Sequence, residues 1–277
     1  MQALSSTIGS YGTTLVIIAL TVLFGLERLF PLRAPTQRLG HRLLVNGIMS
    51  VLTFAVAAFL VRPSAIRALH WSMEHSFGVF HWVHVSFWLE VILSFLLMDL
   101  TFYYWHRLNH RVSFLWRFHN VHHVDPDLDA STGFRFHFGE VALSVFFRVV
   151  QSAVLGISLP VFILYEFVFQ VETYFHHSCL RLPFGLEILL NLFIVTPRMH
   201  GIHHSQFHEE TDSNFSVIFS FWDRVHKTFR WDIPQSQIII GVPGYSEPSD
   251  NSMVNVLLVP FRKQKDYWLS HESRHFS

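Results

Sequence analysis

Apolar residues in this chain come in long unbroken blocks, not in the alternation of strands or the narrow stripes of soluble helices. The first block is "TTLVIIALTVLFGLERLF" at 13–30, the second covers 43–61, and the third is "VSFWLEVILSFLLMDLTFYYW" at 85–105. Each approaches the roughly 20 residues that carry a helix across about 30 Å of hydrocarbon. Residues 141–175 are apolar for too long to be one helix and contain Gly156 and Pro160, so they predict a helical hairpin turning there. Residues 186–195 are too short to cross, and predict a helix in the membrane interface or packed under the rest. From 196 onward the chain is polar and punctuated, with one candidate strand, "QIIIGV", at 237–242. The first block has no basic segment ahead of it and no small-residue cleavage site behind it, which predicts a retained transmembrane helix. The expected fold is an all-α integral membrane protein with four to five transmembrane or re-entrant helices.

Composition agrees. Hydrophobic residues make up 51% of the 277 positions and charged residues 14%, against about 25% charged in soluble domains. The net charge of zero gives no reason to expect a nucleic-acid partner. Cys179 is the single cysteine, which excludes an internal disulfide and any zinc or iron–sulfur site built from several thiolates. A metal here must be held by nitrogen and oxygen. Histidine is the outlier: there are 20, as many as Lys and Arg together.

Basic residues set the expected orientation. Arg28, Arg33, Arg38 and Arg42 lie between the first two blocks and read as cytoplasmic. The N-terminus is then outside, as is 70–84, and the third block brings Arg107, Arg111 and Arg117 back to the cytoplasmic side. The hairpin leaves and returns. On this count 106–123, 176–177 and 200–204 all reach one membrane face, although the parity was counted from arginines.

Those segments carry the histidines. His106 and His110 are spaced to share a helix face, and His119-x-x-His122-His123 recurs as His200-x-x-His203-His204. With His176 and His177 the set is ten imidazoles, more than one ion takes, which implies two metals. Imidazole suits iron, zinc, copper and nickel; redox chemistry on a hydrocarbon needs iron or copper, and the lack of thiolates weighs against Cu(I). A single histidine such as His41 or His70 is more often interfacial than a ligand. His81 and His84 fall among Trp71, Trp82 and Trp88, an aromatic belt on the outer side, and His271 and His275 form a solvated pair in the tail.

The stretches "DLTFYYWHRLNH", "LWRFHNVHH", "FRFHFGE", "YFHHS" and "TPRMHGIHHS", followed by "DSNFS" and "FWDRVHKTF", occur in an order that resembles the fatty acid hydroxylase/sterol desaturase superfamily over 87–230. The resemblance implies a membrane-embedded non-haem di-iron oxygenase that uses O2 and electrons on lipid C–H bonds. It implies metal ligation by His106, His110, His119, His122, His123, His200, His203 and His204. The middle of the set is open: His176 and His177 are joined by Glu172 or His137 as ligands or as groups supporting the ligands. No catalytic residue separate from the metal site is expected. Residues 1–84 are then two N-terminal transmembrane helices and an outer loop, 85–235 a catalytic part with its site on the cytosolic side, and 236–277 a polar tail.

Several groups are expected to support the ligands. Asp99 lies within the third block, where a carboxylate is costly without a partner, and is expected to accept a hydrogen bond from a ligating histidine. Asp223 and Asp212 are similar candidates. Arg135 and Arg198 flank histidine elements, where they are expected to neutralise these carboxylates or touch a lipid headgroup.

Hydroxylation is the leading expectation, with lipid or sterol desaturation by the same site as its close alternative and a membrane metal-binding or transport protein as the alternative of another class. A zinc hydrolase lacks its His-Glu-x-x-His box. The chain shows no haem-binding cytochrome domain, flavin fingerprint or iron–sulfur cysteine set, so a separate cytochrome- or ferredoxin-type donor is expected. The substrate is a membrane lipid whose class the ligand motifs do not choose. The terminal "SRHFS" carries no retention motif, which favours a bacterial inner membrane over the endoplasmic reticulum.

Overall fold

The structure is a computed structural model describing residues 2–265 and Trp268; the His271/His275 pair lies outside the described residues. The chain opens with α1 (Gln2–Leu29) and α2 (Leu39–Val56), and a single π-helical turn (Ala57–Val61) leads into α3 (Arg62–Glu74). After the short α4 (Val79–Trp82) come α5 (Phe87–Arg111), α6 (Ser113–His123), α7 (Phe138–Leu155) and α8 (Leu159–His177). Five short helices follow: α9 (Phe184–Asn191), α10 (Pro197–His203), α11 (His208–Thr211), α12 (Phe221–Val225) and α13 (Met253–Leu258).

Among the described residues four stretches are long and apolar enough to cross a membrane: Ser10–Leu29, Leu39–Trp82, Phe87–Arg111 and Phe138–Leu155. The second block runs further than expected because its helix does not stop at residue 61. It widens into the π turn immediately before Pro63, whose missing N–H an α-helix would have needed. The hairpin forms as expected between α7 and α8. Gly156 turns the chain in the left-handed region at φ 62°, and a Cβ there would come within 2.8 Å of His81 and Ser72, so glycine is required on both counts.

The expected strand at 237–242 does not form. Among the described residues there are only isolated bridges, one of which joins Ser205 to Ile240. The segment's backbone bonds go to the end of α10, from Gln206 N to Ile239 O at 2.9 Å and from Gly241 N to His204 O at 3.1 Å. A helix end offers one bridge and no ladder.

The apolar surface faces outward along the long helices, with Phe59 85%, Trp88 72% and Phe146 78% exposed, as a lipid-facing surface requires. Inside, α3 packs on α7, α1 on α8, and α5 on α6, α7 and α8. One core cluster joins Leu69, Met98, Phe162 and Tyr165; a second joins Met49 and Val121 to Val242, Tyr245 and Val256 near the C-terminus. The polar groups concentrate at one end. There Arg42 binds Asp125 in fork geometry (2.8 and 3.0 Å) and Asp129 at 2.8 Å, while Arg28 reaches Asp129 at 2.6 Å. These bonds tie the end of α1 and the start of α2 to the loop after α6 and fix the end at which α6 and its histidines sit.

Candidate metal centre

Helical phasing sorts the histidines into two groups. His106, His110, His119, His123 and His203 form one, and His122, His177, His200 and His204 form the other. Within each group one nitrogen per residue lies within 4.8 Å of all the rest. On α6 the i,i+4 pair His119/His123 enters the first group and His122 turns to the second. On α10 and its cap the roles reverse: His200 and His204 enter the second group and His203 the first. The two His-x-x-His-His boxes are therefore interleaved, each serving both groups. The groups adjoin, with the His123 and His204 rings stacked at 4.3 Å between centroids.

Backbone and carboxylate oxygens orient the rings. His106 Nδ1 donates to Phe215 O at 2.8 Å, His203 Nδ1 to Ser213 O at 2.7 Å, and His119 Nδ1 to Glu140 Oε1 at 2.9 Å. Each bond fixes a tautomer and leaves an Nε2 lone pair free. The Nε2 atoms of His110, His119, His123 and His203 are buried without a hydrogen-bond partner among the described residues. In the second group His177 Nδ1 donates to Thr173 O at 2.7 Å. Its Nε2 stands 2.9 Å from His122 Nε2 and 3.0 Å from His200 Nε2, which is 3.1 Å from His204 Nε2.

This donor set fits metal ions. Neutral imidazoles crowded Nε2 to Nε2 lack the protons to satisfy one another. Two nitrogens each about 2.1 Å from a shared ion at a right angle stand about 3 Å apart, which matches the spacing found. Burial, reinforced by neighbouring imidazoles, holds His122, His123, His200 and His204 well below the usual histidine range, and burial brings His203 to about 3. These rings are neutral at pH 7, the form that binds metal.

Other expected residues fall as follows. His176 lies at the edge of the second group, its ring 4.3 Å from His200 and 4.5 Å from His177. Glu172 is buried, with Oε1 lacking a hydrogen bond and 4.0 Å from His176 Nδ1. His137 stands apart. It caps α7, its Nδ1 accepting from Gly139 N at 3.0 Å while Nε2 donates to Leu257 O at 3.3 Å, so both ring nitrogens are engaged. Asp99 does not touch a histidine as expected: it accepts from Ile218 N at 3.0 Å and Phe219 N at 2.9 Å. That segment packs against α5 at Asp99, and its N–H groups, outside any helix or strand, take the carboxylate. Asp223 acts one bond removed. It accepts from Phe215 N at 2.8 Å and Ser216 N at 2.9 Å, fixing the strip whose Phe215 carbonyl holds His106. Asp212 pairs with Arg111 at 2.6 Å. Arg135 is buried 3.6 Å from Asp125, and Arg198 meets Glu187 at 3.0 Å; both neutralise carboxylates, though not the expected ones.

Sequence reasoning missed Glu140. Its signal was a carboxylate opening the apolar α7 directly after "RFHF". It also missed the carbonyls of Ser213 and Phe215, which no side chain announces.

A cavity of about 230 Å³ opens beside both groups. Its walls include His106, His119, His122, His176, His177 and His200, and the aromatic rings of Phe54, Phe102, Trp105, Phe134, Phe136 and Phe169, with Phe136 stacked on His122 at 4.4 Å.

The fatty acid hydroxylase family model matches residues 91–228. The ornithine lipid hydroxylase OlsE of Rhizobium tropici is 27% identical over 242 residues, 84% of this chain and 70% of that protein. Human alkylglycerol monooxygenase is 28% identical over 141 residues, 49% of this chain and 29% of its own length. Cholesterol 25-hydroxylase of Mus musculus is 31% identical over 146 residues, 51% of this chain and 47% of its own. The match thus spans less than half of the two animal relatives. No solved structure is a significant match.

Proposed function

Because this chain belongs to the fatty acid hydroxylase family, we propose that it is a membrane-embedded lipid hydroxylase that inserts oxygen into a C–H bond at a di-iron site. The observation that carries the reading is the interleaving of both histidine boxes into two adjoining groups of buried and half-buried imidazoles that open onto an apolar slot. Iron bound there would supply O2-dependent oxidation of an unactivated C–H bond, with O2 as cosubstrate and electrons from a separate cytochrome- or ferredoxin-type donor.

The chain's own residues have distinct tasks. His106, His110, His119, His123 and His203 would hold one ion, and His122, His177, His200 and His204 the other, with His176 and Glu172 beside it. Glu140 and the carbonyls of Ser213, Phe215 and Thr173 keep the Nδ1 protons in place, so that Nε2 faces inward. Trp105, Phe136 and Phe169 wall the slot and exclude water, which would quench a reactive oxidant. The slot also holds the reacting carbon near the metals.

The cavity is smaller than the roughly 300–1,000 Å³ that enclose a whole small molecule. It suits one segment of an acyl or alkyl chain whose remainder stays in the bilayer. The relatives' names, ornithine lipid, alkylglycerol and cholesterol, share a large apolar body, and all three are hydroxylases or monooxygenases, which favours oxygen insertion over desaturation. Histidines gathered at one end, with no file of them through the bilayer, disfavour metal transport. We assign catalysis to 85–235, flanked by the helices of 1–84 and by 236–277. The histidine end is cytoplasmic by the arginine count, and a bacterial inner membrane agrees with the Rhizobium relative.

Purified protein should contain two irons per chain. Membranes of cells that express it should gain lipids heavier by one oxygen. Haem absorbance, or products lighter by two hydrogens alone, would contradict the reading.

A further inference from the structure

Away from the histidines the slot runs as far as a layer of packed aromatic rings. Its lining residues farthest along each helix from the histidines are Phe102 on α5, Ser144 on α7 and Phe169 on α8. Phe102 and Phe169 meet at 4.4 Å between ring centroids, and Phe147 packs edge-on to Phe102 at 5.1 Å. Directly behind them is a polar cluster that is costly inside a membrane. Arg148, 4% exposed, lies over the Phe102 ring at 5.0 Å and over Phe162 at 5.2 Å. Its guanidinium donates to Gln151 and Glu166. Gln151 in turn donates to Met98 O at 3.2 Å and Thr101 Oγ1 at 2.6 Å. The cluster joins α5, α7 and α8 at the level where the slot stops.

We propose that Phe102 and Phe169 form a stop that sets how far a lipid chain enters, and therefore which carbon meets the metal groups, with Arg148 as the residue positioning Phe102. The inference rests on the lipid-hydroxylase reading. A saturated chain offers many chemically equivalent C–H bonds, so position must be chosen sterically. In an apolar pocket a single methylene is worth about 10–200-fold in discrimination, enough for a fixed stop to make one position dominant. Phe102 suits that role. A cation lies over its face, which attracts the ring, and rings on two sides keep it from swinging aside. Arg148 cannot be read only as a strut between helices, because a strut would not need to press on a slot-lining ring.

The test compares wild type with Phe102→Ala, Phe169→Ala, Arg148→Met and Arg148→Lys. Each is expressed in a bacterial host, and tandem mass spectrometry locates oxygen in the hydroxylated chains. Wild type should give one dominant position. Phe102→Ala, Phe169→Ala and Arg148→Met should move the oxygen by one or more carbons away from the methyl end, while Arg148→Lys keeps the wild-type position. A readout independent of turnover is cryo-EM of metal-free protein in nanodiscs of phosphatidylethanolamine and phosphatidylglycerol. Chain density should end at Phe102 in wild type and run past it in Phe102→Ala. Wild type that makes no oxygenated lipid overturns the hydroxylase reading itself. Wild-type product accompanied by an unchanged position in all three variants, or chain density ending short of Phe102, overturns the stop.

Discussion

The two histidine groups are built to different standards. In the first, three of five rings have their outer nitrogen bonded to an oxygen: His106 to Phe215, His119 to Glu140 and His203 to Ser213. In the second, only His177 is held in this way, by Thr173, and the Nδ1 atoms of His122, His200 and His204 have no partner among the described residues. The first group is pinned from outside and the second chiefly by mutual crowding. The first would therefore pre-organise its nitrogens for an ion, whereas the second would depend on a bound ion to hold them and has Glu172 alongside, 4.0 Å from His176. Boxes of identical histidine spacing thus contribute to unlike sites, because the surroundings and not the boxes supply the outer partners.

The largest expected effect comes from deleting a ligand. His119→Ala or His203→Ala should lose metal and abolish turnover, while His81→Ala, far from both groups, stays near wild type; elemental analysis with a lipid assay checks this. Equal tolerance at all three positions would break the assignment. Next, chelator titration should release the ion of the crowded group first, with a plateau near one iron per chain. Loss of both irons in a single step would erase the contrast. Glu140→Gln should then weaken metal binding about 10–100-fold and move the two release steps closer together.

Asp99→Asn should act on the fold alone. It weakens charge-assisted bonds to Ile218 and Phe219 worth about 1.5–3 kcal/mol, seen as a lower melting temperature at unchanged metal content. A separate effect, absent at neutral pH, is the pH response of the metal-free protein. His203 titrates near 3 in the fold because it is buried, but near 6.5 when unfolded. The unfolded chain therefore binds more protons at acid pH, so stability is complete above about 6.5 and falls as pH drops toward 3. Asp125 adds a later loss with the same sign. Burial alone would raise its carboxyl, but Arg42 and Arg135 outweigh that and hold it well below the usual range, so its contribution fades only as pH falls through about 4. Thermal melts of metal-free protein across this range check both.

Much of this was legible in the sequence because membrane helices are written in long blocks and imidazoles are rare there. The hairpin could be placed at Gly156 because glycine answers a local backbone need. The histidines do come together, in two adjoining groups, as their recurrence at the ends of apolar blocks suggested. The division of each box between two groups was not legible, since it depends on how α6 and α10 face each other across the site. Nor was the role of Asp99, because a carboxylate in a helix binds whichever donors cross it, and those were backbone N–H groups 119 and 120 residues away. The strand at 237–242 failed for a related reason: β-propensity cannot supply a partner strand.

The central claim is that two ions sit in two groups that share both boxes. Anomalous X-ray scattering at the iron absorption edge, from crystals of iron-loaded protein, tests it most directly. The account predicts two peaks, one among His106, His110, His119, His123 and His203 and one among His122, His177, His200 and His204. A single peak, or iron bound outside these groups, would contradict it.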